Sequence, residues 1–355
     1  MDRCVRALSM ERIISYTEAI REATEQEMIR DSRVILLGQG VDYDRGLLGT
    51  TTGLVNKFGS KRVFDTPLSE DGMTGISIGA ALAGLRPIHT HVRMDFLTLA
   101  MNQLINIAAK ARYMYGGAVA VPLVIRTLIG DGWGAQHSQG LHSFFVNIPG
   151  LKVVAPSTPY DAKGCLIQAI RDNNPVIFVE HFKLYAERGP VPLKPYAIPF
   201  GKAVIRKKGS DVTLVGISWM NVECLRAAKY LEEVGVGAEV IDPVSLVPLD
   251  IETIVKSVQK TGKLLVADTA WTSCGVSAEI VARVAEYFGA KKKILVERIG
   301  FAFVPSPNTP ALEKYFYPNA ESIARAAFKM VRGKKARISF TANKYDAKSR
   351  MTERV

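Results

Sequence analysis

At 355 residues the chain exceeds the usual size of one domain and suits two, each large enough to enclose a core. Nearly half of the residues are apolar, yet no run approaches the roughly 20 consecutive apolar residues of a membrane span, so a membrane role is not expected. The net charge of +12 is partly local to a basic tail after Gly333, and with no aromatic-plus-basic RNA motif beside it nucleic acid is not expected as a partner.

The opening MDRCVRALSM has no apolar secretory core, which predicts a cytoplasmic protein, or one of the mitochondrial matrix in a eukaryote. Cys4, Cys165, Cys224 and Cys274 are far apart and form neither a zinc motif nor a disulfide framework.

In chain order, Ser15 with Glu18 fits a capping box that opens a helix to about Asp31. The strand VILLG follows, then a small-residue helix from about Asp71 to Leu85 and the strand PIHTHV. One helix is predicted from Leu97 to about Tyr113. The strands VPLVIRT and LKVVAP, a helix opened by Thr158-Pro159, and the strand PVIFVE complete the first half. Residues 184–200 are Pro-rich and lack periodicity, which marks a linker. Beyond it the βα alternation resumes: GKAVIRKKGSDVTLVGIS, NVECLRAAKYLEEVG, AEVID, DIETIVKSVQ, KLLVAD and GVSAEIVARVAEYF. This pattern predicts an α/β fold of two three-layer α/β/α domains. The expected domains are 14–190 and 201–332, joined by a linker at 191–200 and followed by the tail at 333–355.

Three features invite a chemical reading. Gly38-Gln39-Gly40 follows a strand, but Tyr43 stands where a dinucleotide loop needs its third glycine, so a turn is expected. Gly130-Asp131-Gly132 could hold a metal diphosphate, because glycines expose backbone N–H groups and a carboxylate ligates magnesium. No correctly spaced Asn completes that set: Asn147, Asn173 and Asn174 fall at the wrong distances, and a loop is expected. Glu70 begins the helix rich in Gly and Ala, whose small residues let another element approach closely.

DTPLSEDGMTG, AALAGLRPI, DFLTLAMNQLIN, GAQHSQG, PGLKVVAPSTPYDAKG and AIRDNNPV together resemble the β subunit of thiamine-diphosphate-dependent 2-oxo acid dehydrogenases of the pyruvate and branched-chain type. The resemblance runs from about Ile14 to Arg332 and implies a transketolase-type pyrimidine-binding domain followed by a transketolase C-terminal domain. It also implies thiamine diphosphate shared with an α subunit that carries the diphosphate motif and the magnesium, an α2β2 assembly, a lipoyl acyltransferase partner, and a small 2-oxo acid as substrate.

Residue by residue, the resemblance makes Glu70 the carboxyl that hydrogen-bonds N1′ of the aminopyrimidine and favours the imino form that takes the thiazolium C2 proton. Phe96 becomes the aromatic stacked on that ring, and His137 the histidine that acts on substrate or acyl acceptor, since imidazole exchanges protons near neutral pH. His142 is expected to be structural. A structural potassium ion is implied at carbonyls of Leu123, Ala169, Ile170, Asp172 and Asn174.

The chain departs from the family pattern in three places. Gln39 and Asn102 stand where acids are common, and an amide hydrogen-bonds but cannot relay a proton in that range. His89, His91 and Arg93 form a polar, potentially cationic strand end that could contact an anionic substrate group or be solvated. The loop before His137 is shorter than usual. Two further functions stay open: a split transketolase-like carbon–carbon ligase or acetoin-type dehydrogenase, and a catalytically silent structural subunit.

Overall fold

The structure, a computed structural model, describes residues 12–333. Cys4 and the basic tail beyond Gly333 lie outside the described residues. Among the described residues fourteen strands run in chain order: β1 Ile13–Ser15, β2 Val34–Gly38, β3 Val63–Phe64, β4 Arg86–His91, β5 Val124–Ile129, β6 Lys152–Val154, β7 Val176–His181, β8 Arg188–Pro190, β9 Val204–Lys207, β10 Val212–Gly216, β11 Ala238–Asp242, β12 Ser245–Val247, β13 Lys263–Trp271 and β14 Leu295–Phe301.

Seven strands form the first sheet in the order β12-β6-β7-β5-β4-β2-β3, and five form the second in the order β14-β13-β10-β11-β9. Within these two sheets every pairing is parallel except β12 on β6 and β9 on β11. Parallel strands need crossover helices on both faces, which is why β2, β4, β5 and β7 are buried at every position.

Local signals set several helix ends. The Glu18 N–H donates to Ser15 Oγ at 3.2 Å and the Ser15 N–H to Glu18 Oε2 at 2.6 Å, so the capping box opens the helix Tyr16–Arg30. Thr158 Oγ1 accepts from the Asp161 N–H at 3.1 Å and Pro159 takes the first turn of Pro159–Arg171. These two helices pack on each other over one face of the first sheet. The helix Glu70–Leu82 covers the other.

Two arrangements differ from the expectations. The single helix predicted from Leu97 changes pitch repeatedly: α-helix at Met94–Leu97, a 3-10 turn at Thr98–Ala100, π-helix at Gln103–Ala108 and α-helix again at Ala109–Met114. The segment expected as a linker is held in place by contacts with the first half. β8 pairs with β1, the buried Lys163 ammonium donates to the carbonyls of Pro192, Leu193 and Lys194, and the Ile198 N–H donates to Gly164. Finally β12, from the second half of the chain, adds to the edge of the first sheet, with Ser245 opposite Val154. Both main apolar cores likewise run through the two halves: one joins Ile20 and Leu166 to Leu231 and Ile323, the other Ile78 and Ile125 to Ile254 and Ile280.

Candidate active site

In an open parallel sheet the strand carboxyl ends face a crevice where loops meet helix N-termini. Here that crevice lies beyond β2 and β4. It brings together Gln39 after β2, Glu70 on the first turn of its helix, and Phe96 on the short helix after β4. His89, His91 and Arg93 line it as well. Glu70 reaches this edge because Thr66-Pro67-Leu68-Ser69 carries the chain up from β3, and an acid on a first turn is favoured by the helix dipole. The Glu70 carboxylate has no hydrogen-bond or ion-pair partner among the described residues.

The two histidines are not a solvated, cationic strand end, which corrects that expectation. Both are buried and alternate along β4 so that they point at the same helix. His89 Nδ1 lies 3.2 Å from Ser77 Oγ and His91 Nε2 lies 3.2 Å from Thr74 Oγ1, with the imidazole centroids 4.2 Å apart. Burial pushes the His89 pKa down to about 4 and that of His91 well below the ordinary range, the neighbouring His89 adding to the second shift. They are uncharged at neutral pH.

His137 meets the crevice from the side, its ring edge-on to Phe96 at 5.3 Å between centroids. Its loop is held by close approach and by the second half of the chain. A Cβ on Gly130 would stand 1.9 Å from the His137 carbonyl oxygen, and one on Gly140 would stand 1.7 Å from that of Thr269. The Gly132 N–H donates to Tyr317 Oη at 3.0 Å. His142 is buried with Nε2 3.1 Å from the Asp268 carboxylate on β13, a tie between the two halves. Asp131, the acid of the apparent metal motif, instead pairs with Lys183 at 3.0 Å. Gly130-Asp131-Gly132 therefore shapes the His137 loop.

One residue escaped the sequence reading. Asp95 is buried beside Phe96, and its Oδ1 accepts from the Gln139 side chain at 2.8 Å and from its N–H at 3.2 Å, while Oδ2 has no partner. Burial raises its pKa. Its position one residue before Phe96 was the available signal, but only the fold brings Gln139 to it. Thr90 Oγ1, Arg93 Nε and Gln103 Oε1 are also buried without partners. Such orphans on neighbouring segments are unusual in a native interior.

Of the other positions, Asn102 is exposed and accepts from Asn106 at 2.9 Å. The five residues expected to hold potassium gather at the opposite, amino edge of the sheet. There Arg86 donates to the carbonyls of Ile170 at 2.8 Å and Asp172 at 2.7 Å, Lys152 pairs with the Asp172 carboxylate, and the Leu123 carbonyl accepts from Val176. A potassium ion would have to share those carbonyls with Arg86. Among the described residues no group of His, Cys, Asp and Glu suits a metal ion, and no helix is long and apolar enough to cross a membrane.

The fold and crevice define a two-domain α/β chain of the transketolase type. Transketolase, pyrimidine binding domain, matches residues 12–187, and Transketolase, C-terminal domain, matches residues 201–323. The chain belongs to the family of β subunits of the pyruvate, 2-oxoisovalerate and acetoin dehydrogenases. It is 46% identical to acetoin:2,6-dichlorophenolindophenol oxidoreductase subunit beta of Cupriavidus necator, covering 92% of this chain and 100% of that one. With 2-oxoisovalerate dehydrogenase subunit beta of Bacillus subtilis the identity is 40%, covering 88% and 97%. With pyruvate dehydrogenase E1 component subunit beta of Porphyra purpurea it is 43%, covering 84% and 90%. A split gene transketolase solved as an inactive β4 tetramer shares the fold, with a TM-score of 0.72 at 23% identity over 91% of this chain and 99% of that one.

Proposed function

We propose that the chain is the β subunit of a heteromeric, thiamine-diphosphate-dependent 2-oxo acid dehydrogenase, active with an α subunit in an α2β2 assembly. The observation that carries the reading is the crevice itself, where an unpartnered carboxylate, Glu70, and an aromatic ring, Phe96, line one opening. That donor set fits an aminopyrimidine, which needs one hydrogen-bond partner for a ring nitrogen and one apolar face. When bound, thiamine diphosphate supplies a carbon nucleophile for a 2-oxo carbonyl.

This chain's residues then divide the work. Glu70 holds a proton at N1′, Phe96 orients the ring by stacking, and His137 moves a proton at the reacting oxygen or acyl acceptor. Asp95 positions the His137 loop through Gln139. Magnesium is assigned to the α subunit, a reading that the engagement of Asp131 with Lys183 supports. A lipoyl acyltransferase takes the acyl group, and the compartment is the cytoplasm, or the mitochondrial matrix in a eukaryote. A potassium ion at the amino edge is tested by comparing thermal unfolding in potassium and sodium salts.

The decisive experiment reconstitutes the chain with its α partner and follows carbon dioxide release and dye reduction from a panel of 2-oxo acids. Turnover that requires an aldehyde acceptor would overturn the dehydrogenase reading. The similarity to the acetoin oxidoreductase subunit favours a second reading, oxidative cleavage of a 2-hydroxy ketone. Dye reduction with acetoin and none with any 2-oxo acid would select it.

A further inference from the structure

Arg93 stands just past β4 and caps the turn Met94–Leu97 that carries Phe96, so it enters the crevice beside the proposed pyrimidine seat. Its guanidinium carbon lies over the Trp133 ring, 4.0 Å from the centroid. Stacking on an aromatic face leaves the edge donors of a guanidinium free for a planar, two-oxygen partner. No ion pair reaches it from the described residues, and its Nε is buried without a hydrogen bond. Asp95, the nearest acid in sequence, commits one carboxylate oxygen to Gln139. Burial depresses the Arg93 pKa, and the attraction of Asp95 and Tyr185 offsets only part of that loss of hydration.

Resting on the reading of this crevice as the seat of the pyrimidine and a 2-oxo acid, we infer that Arg93 is a specificity-determining residue for a second, non-reacting carboxylate on the substrate side chain. The preferred substrate class is then a 2-oxo dicarboxylate. The reacting carboxylate is the poorer partner. It loses its charge as carbon dioxide departs, so an ion pair to it would stabilise the ground state more than the transition state. A distal carboxylate keeps its charge throughout and is matched by the fork geometry of arginine.

The test uses the reconstituted αβ complex with 2-oxoglutarate and 2-oxoadipate set against pyruvate and 2-oxoisovalerate. The dicarboxylates are expected to show kcat/KM at least about tenfold higher. Arg93→Met should lower their kcat/KM about 100-fold, mainly through KM, and lower that of pyruvate by at least about tenfold less. Arg93→Lys, which keeps the charge but not the fork, should recover part of the loss. A preference of the unaltered complex for monocarboxylates, or an equal loss on all four acids, overturns the inference. So does failure of Arg93→Met to assemble with the α subunit, which would assign the guanidinium to the subunit contact. Absence of turnover on every 2-oxo acid by the unaltered complex instead overturns the proposed function on which the inference rests.

Discussion

The two ends of β4 carry arginines with opposite fates. At the amino edge Arg86 spends its donors on the carbonyls of Ile170 and Asp172 and on Asn173 Oδ1, and Lys152 balances Asp172 beside it. Deeper in the sheet, Arg126 and Glu180 form a two-bond pair at 2.7 and 2.9 Å, and Tyr185 Oη donates to the same carboxylate at 2.7 Å, which leaves Arg126 Nη1 without a partner. Past the carboxyl edge Glu70 and Arg93 have no such partners, and orphaned polar atoms surround them. Arg86 and Arg126, which hold the fold, each have a partner within the chain, whereas Glu70 and Arg93, which line the crevice, have none among the described residues. A buried polar group left unmatched costs stability, so a cluster of them on one edge marks binding.

That contrast breaks most sharply at Glu70. Glu70→Ala should lower kcat of the αβ complex about 1,000-fold, with the melting temperature of the chain unchanged because nothing in the fold leans on that carboxylate. A collapse of the melting temperature would place Glu70 among the structural charges. At the opposite end, Arg86→Met should cost about 2–4 kcal/mol in urea unfolding by stranding buried acceptors, against less than about 1 kcal/mol for Arg93→Met. Equal losses would erase the distinction.

His137→Asn should reduce turnover about 100-fold. Gly130→Ala should act in the same direction, because its Cβ would collide with the His137 carbonyl. Activity retained in both would remove the loop from the mechanism.

Acid should weaken the fold through the buried imidazoles. The folded pKa of His89 is about 4 against an ordinary 6.5, and those of His91 and His181 are also lowered by burial. The unfolded chain therefore binds more protons in this range. The stability contributed by a neutral imidazole is complete above about pH 6.5 and is lost as pH falls toward 4. His89→Gln should flatten the melting temperature between those limits, and an unchanged slope would show that His89 does not drive it.

The smallest effect belongs to Asp131→Ala, which removes a partly exposed pair with Lys183. It should cost less than about 1 kcal/mol and leave turnover intact. A changed magnesium requirement would restore the metal reading of Gly130-Asp131-Gly132.

Legibility followed the range of the interaction. The Ser15–Glu18 box and the Thr158-Pro159 start depend on bonds within one turn, so short stretches of sequence announced both. β12 went unseen, because Ser245–Val247 is a strand only where the edge of β6 offers it partners. The repeated pitch changes between Met94 and Met114 were equally hidden behind an unbroken helical pattern. At the site, Glu70, Phe96 and His137 stood out through motifs shared with a family. Asp95 had no such motif, and His89, His91 and Arg93 looked like a polar, potentially cationic strand end although the two histidines are buried.

By itself the sequence determined the α/β alternation, the two-domain plan and the family, since these follow from hydrophobic period and from motifs written contiguously. Only the tertiary structure decided which charges are spent and which are free. Arg86 and Arg93 differ little as residues in a string, and their roles diverge because one end of β4 meets carbonyls of a neighbouring turn and the other meets an open crevice. Partnership is a property of distance in space, which a sequence does not contain.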